Sequence, residues 1–443
     1  MSRKIELEHF RPFLGFEDKF GQTLRLESFL ENKLSEQFQL YGYEEVSVPI
    51  LEKGVFYSKK YVGSSPWPEW NERSMFELNV IDYDKNYESV TKTEKGVLIP
   101  EGTLSVCRWL SNLISERGIS LNYLLPLKLY YSVKCFRNEP ITDLSLRKKR
   151  EFKQVGLEFL GPTTEMADIE VMYLISRGLE SIGIPKDRIN IRIGDIRLFT
   201  QLCKEFNIKH DERIILKEKL DKLAECKAVR KKREVFQLQN EINSFLRRLG
   251  ITDLAVWEKL YSGTGNVEET VRVIKRDFGN EKVAESFRII AEMLEFLGIP
   301  FEIDTCVVRS HEYYTNTVFE VDIKGKDIVH LEVAGGGRYN KLITNLLEDT
   351  TISIPATGFA YGLERLLNII NSEDIDDLKP KVRYFLGKES ADYVIFPKNI
   401  KEAWRKAEEL RKQWKRVDIY LQDGDKENAI LYAKRKKAIF LEV

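Results

Sequence analysis

Three arginines stand in short polar stretches where a positive charge could meet an anionic ligand. Arg137 lies in FRNE, Arg309 in VRSHEYY and Arg365 in GLER. A guanidinium group keeps its charge at physiological pH and donates two parallel hydrogen bonds to a carboxylate or a phosphate. Each stretch alone is a weak signal, because a helix-face arginine is usually solvated. Their joint occurrence favours a site that binds oxyanions.

Other polar residues accompany these arginines at spacings that favour a shared face. Residues two apart on a strand point to the same side of the sheet, and a helix entry gathers backbone N–H groups. The stretch VVRSHEYYTNTVFE, residues 307–320, has the composition of a strand. Its polar side chains are either ordinary solvated residues of that strand or part of the wall of a substrate site. The remaining companions are Glu139 in FRNE, Phe152, Gln154 and Glu158 in EFKQVGLE, and Glu101 and Thr103 in PEGT.

Hydrophobic periodicity predicts the elements that carry these residues. Residues 24–41 have the spacing of a helix, and residues 126–137 and 150–161 form a hairpin with a long, basic tip that we expect to be mobile. Residues 200–300 are charged, helical in period and poor in glycine. After about residue 388, strands and helices alternate in a small α/β unit that stops on its third strand.

Composition narrows the class of protein. Seventy basic residues balance seventy acidic ones among 443, so any phosphate recognition must come from local clusters. Five scattered cysteines without a CxxC pair, and four histidines without metal-ligand spacing, favour a reduced, cytoplasmic protein without a bound metal. The apolar runs are too short to span a bilayer, and the N-terminus has no apolar signal segment, so we expect no membrane association.

Taken together, the motifs resemble those of the class II aminoacyl-tRNA synthetases. The helix and strand that end at Pro49 are similar to the first motif of that class, residues 130–161 to the second, and ATGFAYGLERLL to the third. RSHEYY and GGGRYNKL resemble the two signatures of the histidyl-tRNA synthetases, usually written near RGLDYY and AGGRYDGL. The resemblance covers roughly residues 8–200 and 295–372 and, more weakly, the C-terminal unit.

The resemblance implies an α+β fold with an antiparallel, six-stranded class II sheet flanked by helices, a helical insertion and a truncated C-terminal α/β domain. It also implies a homodimer, because the first motif normally forms the subunit interface. The expected domains are a first part of the catalytic core at 1–199, the insertion at 200–295, a second part of the core with the histidine signatures and third motif at 296–375, and a shortened anticodon-binding-like domain at 388–443.

The implied reaction joins the carboxylate of histidine to the α-phosphate of ATP, with Mg²⁺ accompanying the co-substrate. Negative charge is crowded on both reactants, so catalysis rests on positioning and on fixed cations. The resemblance makes Arg137, Arg309 and Arg365 the catalytic residues. It implies ATP binding by Arg137, Glu139, Arg150, Phe152 and Arg365. The basic run Arg147, Lys148, Lys149 and Arg150 either closes over the phosphates or forms a solvated tip.

Histidine recognition follows from the chemistry of imidazole, which offers one donor and one acceptor and needs complementary partners. The resemblance implies that Glu158 and Tyr314 contact the ring. It implies that Glu101, Thr103 and Gln154 fix the amino and carboxylate groups. The implied pocket wall comprises Tyr313, Gly335, Gly336, Gly337, Arg338 and Tyr339.

Departures from the family pattern leave the function open among three alternatives. His311 replaces a leucine of the signature, as either a surface substitution or an altered site residue, and Ser310 replaces a glycine. The chain stops before the last elements of an anticodon-binding domain, so tRNA is a weaker expectation than ATP and histidine. The alternatives are a histidine–tRNA ligase, a histidine-binding regulatory subunit that pairs with the ATP phosphoribosyltransferase catalytic subunit, and an amino-acid ligase with a non-tRNA acceptor. Retention of the three arginines favours the first, whereas RIGDIRLF (192–199) resembles the regulatory subunit.

Overall fold

The computed structural model describes most of the chain in two units. One unit comprises Met1–Phe20 with Leu30–Asp376, and the other comprises Gly21–Phe29 with Asp377–Val443. The four domains expected from the sequence, with their boundaries, remain predictions. In the part of the chain that is described, no helix has the length and apolar character needed to cross a bilayer. The described residues are 10–62, 74–117, 121–139, 149–263, 266–309, 311–326, 329–371, 391–422 and 425–443.

Helices and strands alternate irregularly along the chain. The helices are α1 (Gln22–Leu40), α2 (Lys59–Val62), α3 (Thr103–Arg117), α4 (Leu121–Leu124), α5 (Glu165–Ser181), α6 (Ile196–Glu205), α7 (His210–Ala228), α8 (Lys232–Arg248), α9 (Ala255–Ser262), α10 (Val267–Asp277), α11 (Glu281–Phe296), α12 (Leu342–Leu347), α13 (Leu363–Asn371), α14 (Ile400–Lys412) and α15 (Lys426–Arg435). The strands are β1 (Glu44–Glu45), β2 (Leu51–Lys53), β3 (Phe76–Tyr83), β4 (Val90–Leu98), β5 (Leu127–Phe136), β6 (Glu151–Leu160), β7 (Ile189–Asp195), β8 (Phe301–Ile303), β9 (Thr317–Lys324), β10 (Val329–Arg338), β11 (Ala356–Gly362), β12 (Tyr393–Phe396), β13 (Val417–Ile419) and β14 (Ile439–Glu442).

The largest sheet confirms the expected fold class. Among the described residues its order is β1-β5-β6-β11-β10-β9-β7-β8. The six strands from β5 to β7 in this order are antiparallel, and the short strands β1 and β8 pair in parallel at the two edges. The predicted hairpin is β5–β6, which pairs Leu127 with Leu160 and Phe136 with Glu151. Its predicted mobile tip falls largely on residues 140–148, outside the described part of the chain.

Packing separates the two faces of this sheet. Leu30, Leu34 and Phe38 recur every four residues on α1 and are fully buried, because that spacing puts them on one helix face. The Phe38 ring lies 5.8 Å from Phe359 and 6.4 Å from Tyr361. In ATGFAYG, therefore, the aromatic residues of β11 point towards the helices. The small residues that alternate with them leave open space on the opposite face.

The region between α6 and α11 is helical, and the C-terminal unit is a separate α/β layer structure. The C-terminal sheet is parallel, with the order β13-β12-β14. Ile395, Ala403 and Ile419 belong to one apolar cluster, and Val394 and Ala429 to another. Because consecutive strand residues point to opposite faces, α14 covers one side of this sheet and α15 the other.

Two local predictions are wrong. The strand expected over 307–320 begins only at Thr317, and the preceding segment is irregular because Arg309 adopts a left-handed backbone with φ of 47°. Arg137 and Glu139 were placed on a strand, but β5 ends at Phe136 and both residues lie in the loop that follows.

Candidate functional site

A cavity of about 570 Å³ lies on the open face of the large sheet. Its walls come from β6, β10, β11, the entry of α3, the loop after β5, the irregular segment before β9, and helices α7 and α13. Ten of the predicted site residues line it: Glu101, Thr103, Arg137, Glu139, Phe152, Gln154, Arg309, Tyr313, Tyr314 and Arg365. Residues as far apart in the sequence as Glu101 and Arg365, which are 264 positions apart, therefore line one pocket.

Two of the arginines are joined by a carboxylate that the sequence analysis missed. Glu332 accepts a hydrogen bond from Arg309 Nη1 at 3.3 Å through Oε1, and one from Arg365 Nη1 at 3.0 Å through Oε2. Although burial opposes it, Arg365 and Arg309 lower the pKa of Glu332. Glu332 has a φ of 48° and lies where the register of β10 against β9 shifts. Such irregularities re-aim a side chain, and a uniform strand pattern could not have revealed this one.

The same ionic cluster continues into the core. Arg309 Nη1 also donates to Glu320 at 3.2 Å. Glu320 receives a second bond from Arg192 at 2.7 Å, and Arg192 donates to Asp322 at 2.6 Å. Arg192 and Asp322 are each only 1% exposed. Buried charges of this kind need paired partners. The cluster therefore fixes the position of the Arg309 side chain through Glu320.

Arg137 approaches the cavity from the loop after β5. Its Nε donates to the carbonyl of Pro100 at 3.0 Å, and its guanidinium carbon lies 4.8 Å from the Phe152 ring centroid. Arg150 was predicted to bind ATP but lies outside the cavity wall. Its Nε donates to the backbone carbonyl of Glu139 at 3.1 Å, so it supports the loop that carries Glu139 and Arg137.

Polar groups at the entry of α3 form the adjoining wall. The Glu101 carboxylate accepts from the backbone N–H groups of Thr103 and Leu104, at 2.7 and 2.8 Å, and so caps the helix. Gln154 Oε1 accepts from the backbone N–H of Gly102 at 2.9 Å. Burial raises the pKa of Glu101.

Glu158 lies behind the wall and is fully buried. It accepts hydrogen bonds from the hydroxyl groups of Tyr131, at 3.3 Å, and Tyr339. Burial raises its pKa to about 8, against the effect of its hydroxyl partners. Gly358 faces it across the sheet, and a side chain at that glycine would collide with the carboxylate. Tyr339 itself lines the cavity, so it separates Glu158 from the open space.

Two predicted histidine-binding residues, Gly336 and Arg338, lie on the face of β10 that points away from the cavity. Arg338 is 3% exposed, donates to the Asp168 carboxylate at 2.9 Å and to the carbonyls of Pro162 and Thr164. Gly336 packs against β11 on the same side. The prediction took the whole glycine run as a pocket wall, but alternation on a strand turns every second residue away. Gly335 faces the cavity instead, where a side chain would collide with the Arg309 guanidinium.

Helix α7 contributes an acidic wall that the sequence analysis also missed. Its cavity-lining residues are Glu218, Asp221, Lys222 and Glu225, spaced to share one helix face. Burial raises the pKa of Asp221 to about 7, while Arg309 lowers it. The spacing was visible in the sequence, but nothing local indicated that this face would meet the arginines.

The helical region also anchors the segment 304–311, which carries Arg309. Lys227 on α7 pairs with Asp304 at 2.8 Å. Thr305 Oγ1 donates to the Leu260 carbonyl at 2.5 Å, and the Cys306 thiol donates to that of Leu220 at 3.3 Å. These contacts tie residues 304–306 to α7 and α9.

His311 is not a surface residue, so that interpretation is wrong. It is 4% exposed and lines the cavity. Its ring centroid lies 5.0 Å from that of Tyr313 and 5.9 Å from that of Tyr314. Of the basic run at the hairpin tip, Lys149 lines the cavity, and Arg147 and Lys148 lie outside the described residues, as does Ser310.

The arrangement suits a reaction between two anions. Three arginines converge from the β5–β6 loop, the segment before β9 and the start of α13, in a pocket with an aromatic face on Phe152. Such a site holds phosphate and carboxylate oxygens close together and offsets their charge.

Comparison with known proteins identifies relatives over nearly the whole chain. The model of the histidyl-tRNA synthetase family matches residues 97–366. The histidine–tRNA ligase of Methanocaldococcus jannaschii is 28% identical over 441 residues, covering 96% of this chain and 90% of that protein. That of Sulfolobus acidocaldarius is 30% identical and covers 85% and 78%.

Solved structures share the fold. A protein of Bacillus halodurans described as an ATP phosphoribosyltransferase regulatory subunit/histidyl-tRNA synthetase has a TM-score of 0.68 at 20% identity, with 98% of both chains covered. The apo histidyl-tRNA synthetase of S. aureus has a TM-score of 0.61 at 22% identity and covers 98% of this chain and 91% of its own.

Proposed function

Because the chain belongs to the histidyl-tRNA synthetase family, we propose that it is a histidine–tRNA ligase, which activates histidine with ATP and transfers it to tRNA. The observation that carries this proposal is the convergence of Arg137, Arg309 and Arg365 on one cavity. A protein that only sensed histidine would have no use for three guanidinium groups lining the cavity, whereas a nucleotide triphosphate would need them.

The three arginines divide the charge of the activation step. A carboxylate oxygen of histidine attacks the α-phosphorus of ATP, the bond to the β-phosphate oxygen breaks, and pyrophosphate leaves. Arg137 holds the carboxylate and the α-phosphate, Arg309 holds the α-phosphate from the other side, and Arg365 lies along the nucleotide towards its distal phosphate. Their fixed positions stabilise the charge that accumulates as the two anions meet.

The nucleotide base is assigned to the β5–β6 loop. Phe152 offers its ring face to adenine, and Glu139 contacts the exocyclic amine. Arg150 holds the backbone of Glu139 and acts through it. Mg²⁺ would accompany ATP as part of the co-substrate and offset the charge of its phosphates; among the described residues, no group of three acidic, histidine or cysteine side chains could hold a metal ion.

Histidine binding is assigned to the wall between α3 and β6. Tyr314 contacts the imidazole ring from the cavity side. The Glu158 carboxyl group exchanges its hydrogen bond from Tyr339 for one from the ring N–H, which its carbonyl oxygen accepts. The groups that fix the amino and carboxylate ends are Glu101, Thr103 and Gln154, with Tyr313 closing the wall.

Transfer to tRNA completes the reaction. The terminal ribose hydroxyl attacks the carbonyl carbon of the adenylate, the bond to phosphate breaks, and AMP leaves with the proton. The C-terminal unit is the proposed tRNA contact, through the basic runs at 411–416 and 434–437. Basic runs like these are also common at solvated helix ends and do not by themselves indicate tRNA binding. Charging of tRNA is therefore measured separately from activation.

We assign a cytoplasmic homodimer to the protein. Free, buried thiols at all five cysteines support a reducing compartment. Apolar side chains on β3, among them Leu78, Ile81 and Tyr83, are more than a third exposed and support a subunit contact at that sheet. Light scattering of wild type and Ile81→Glu would test the dimer: a monomeric variant supports the assignment, and an unchanged mass contradicts it.

The deciding experiment is histidine-dependent ATP–pyrophosphate exchange, followed in the same preparation by charging of tRNA. Exchange with charging supports the ligase. Exchange without charging indicates an acceptor other than tRNA. Histidine binding without exchange overturns the proposal and leaves a regulatory subunit. Arg309→Ala serves as the control for contaminating activity.

A further inference from the structure

His311 is the departure from the family signature that the cavity exposes most clearly. It lines the same cavity as Arg309, and the rings of Tyr313 and Tyr314 pack against its ring. Lys217 of α7 donates to its backbone carbonyl at 3.5 Å. The tyrosine rings pack against the imidazole, and the Lys217 contact fixes the backbone that carries it.

Burial, together with the charges around it, keeps His311 neutral. Burial lowers its pKa well below 6.5, and the cations Arg309, Arg137 and Lys217 act in the same direction, whereas Glu332 opposes them. A neutral imidazole has one N–H donor and one acceptor nitrogen, whereas the leucine of the family signature has neither. The chain therefore places an uncharged hydrogen-bonding group among three cations.

We propose that His311 is a substrate-contacting residue, whose ring N–H donates a hydrogen bond to the non-bridging oxygens of the histidine carboxylate and the α-phosphate where the two groups join. The inference rests on the proposed function, which brings these oxygens between Arg137 and Arg309. A donor aimed at charge that develops in the transition state contributes about 100- to 1,000-fold to the rate when it is fully aligned. The ring supplies it without adding a fourth cation to a site already crowded with charge.

Substitution separates this role from simple packing. His311→Leu restores the apolar signature residue and fills a similar volume, so it removes only the hydrogen-bonding capacity. His311→Gln and His311→Asn retain an uncharged N–H, placed roughly where Nε2 and Nδ1 lie. His210→Leu is the matched control, since His210 is exposed at the start of α7. The readouts are kcat and KM in pyrophosphate exchange, with the melting temperature of each variant.

We expect His311→Leu to lower kcat at least tenfold with less than a twofold change in the KM for ATP, and one amide variant to regain at least a third of the lost activity. Activity of His311→Leu equal to wild type overturns the proposal. So does a loss in all three variants with a lowered melting temperature, which indicates packing.

A second measurement keeps the inference distinct from the proposed function. The probe is the non-hydrolysable adenylate analogue 5′-O-(histidylsulfamoyl)adenosine, titrated calorimetrically into wild type and the same variants. If the wild type shows no exchange, the proposed function fails, but the titration still decides the role of His311. At least tenfold weaker binding by His311→Leu, with recovery in an amide variant, supports the contact, and equal binding refutes it.

Discussion

Replacing Arg309 by methionine should damage both stability and catalysis, and the two effects can be separated. Arg309 lies 3.2 Å from Glu320 and 3.3 Å from Glu332, and its side chain is 10% exposed. The cluster that contains it has three positive side chains, the other two being Arg192 and Arg365. It has three negative ones, which are Glu320, Asp322 and Glu332.

The substitution leaves two positive charges against three negative ones in a buried setting. Removing one partner of a buried ion pair costs about 3–5 kcal/mol, so we expect Arg309→Met to lower the free energy of unfolding by about 3 kcal/mol, allowing for the partial exposure of Arg365. Exchange should fall by about 100- to 1,000-fold, because a fixed cation at the α-phosphate is lost.

The double variant Arg309→Met/Glu332→Gln tests this account. It returns the cluster to two charges of each sign, so urea unfolding followed by circular dichroism should recover most of the lost stability. Pyrophosphate exchange should stay low, because the phosphate contact is still missing. Recovery of exchange in the double variant would refute the catalytic role, and a single variant as stable as wild type would refute the charge argument.

Three further predictions concern burial. The raised pKa of Glu158 means that the folded state holds a proton which the unfolded state releases, so its contribution to stability is present at low pH and is lost as pH rises towards about 8. Glu158→Gln should remove a pH dependence of up to about 1.4 kcal/mol per pH unit between pH 5 and 8, measured by urea unfolding; identical profiles would contradict this. Arg338→Met should lower the free energy of unfolding by about 3 kcal/mol, because the buried Asp168 carboxylate loses its partner. The KM for histidine of the folded protein should stay unchanged, and a raised KM would indicate that Arg338 contacts the substrate. Lys227→Met should leave Asp304 without its partner and lower the kcat of pyrophosphate exchange several-fold. Adding Asp304→Asn should restore part of that activity. An unaffected kcat would mean that this ion pair does not position Arg309.

The sequence predicted what depends on local periodicity. Phe152 and Gln154 were assigned to one strand face, and both line the cavity, because alternation on a regular strand is fixed by backbone geometry. The β5–β6 hairpin and the helical region between the two halves of the sheet were predictable for the same reason. The resemblance then placed the three arginines, which periodicity alone could not have brought together.

What failed depends on irregular backbone and on distant packing. The left-handed conformations of Arg309 and Glu332 break the strand pattern, so neither the start of β9 nor the bridging carboxylate was predicted. Gly336 and Arg338 were predicted to line the pocket together with Gly335, but alternation along β10 turns both away from the cavity. The acidic face of α7 was visible as a pattern, but only the folded chain shows that it faces the arginines.

The contacts that anchor residues 304–311 bear on how modular the protein is. A helical insertion is often regarded as an accessory that evolution can add to or trim from a working core. Here α7 and α9 hold the backbone that presents Arg309, through Lys227, Leu220 and Leu260. A chain shortened by these helices would retain the sheet but lose the scaffold for one of its arginines. The helices and the sheet are therefore expected to change together, because a substitution in α7 or α9 that disturbs these contacts would also displace Arg309.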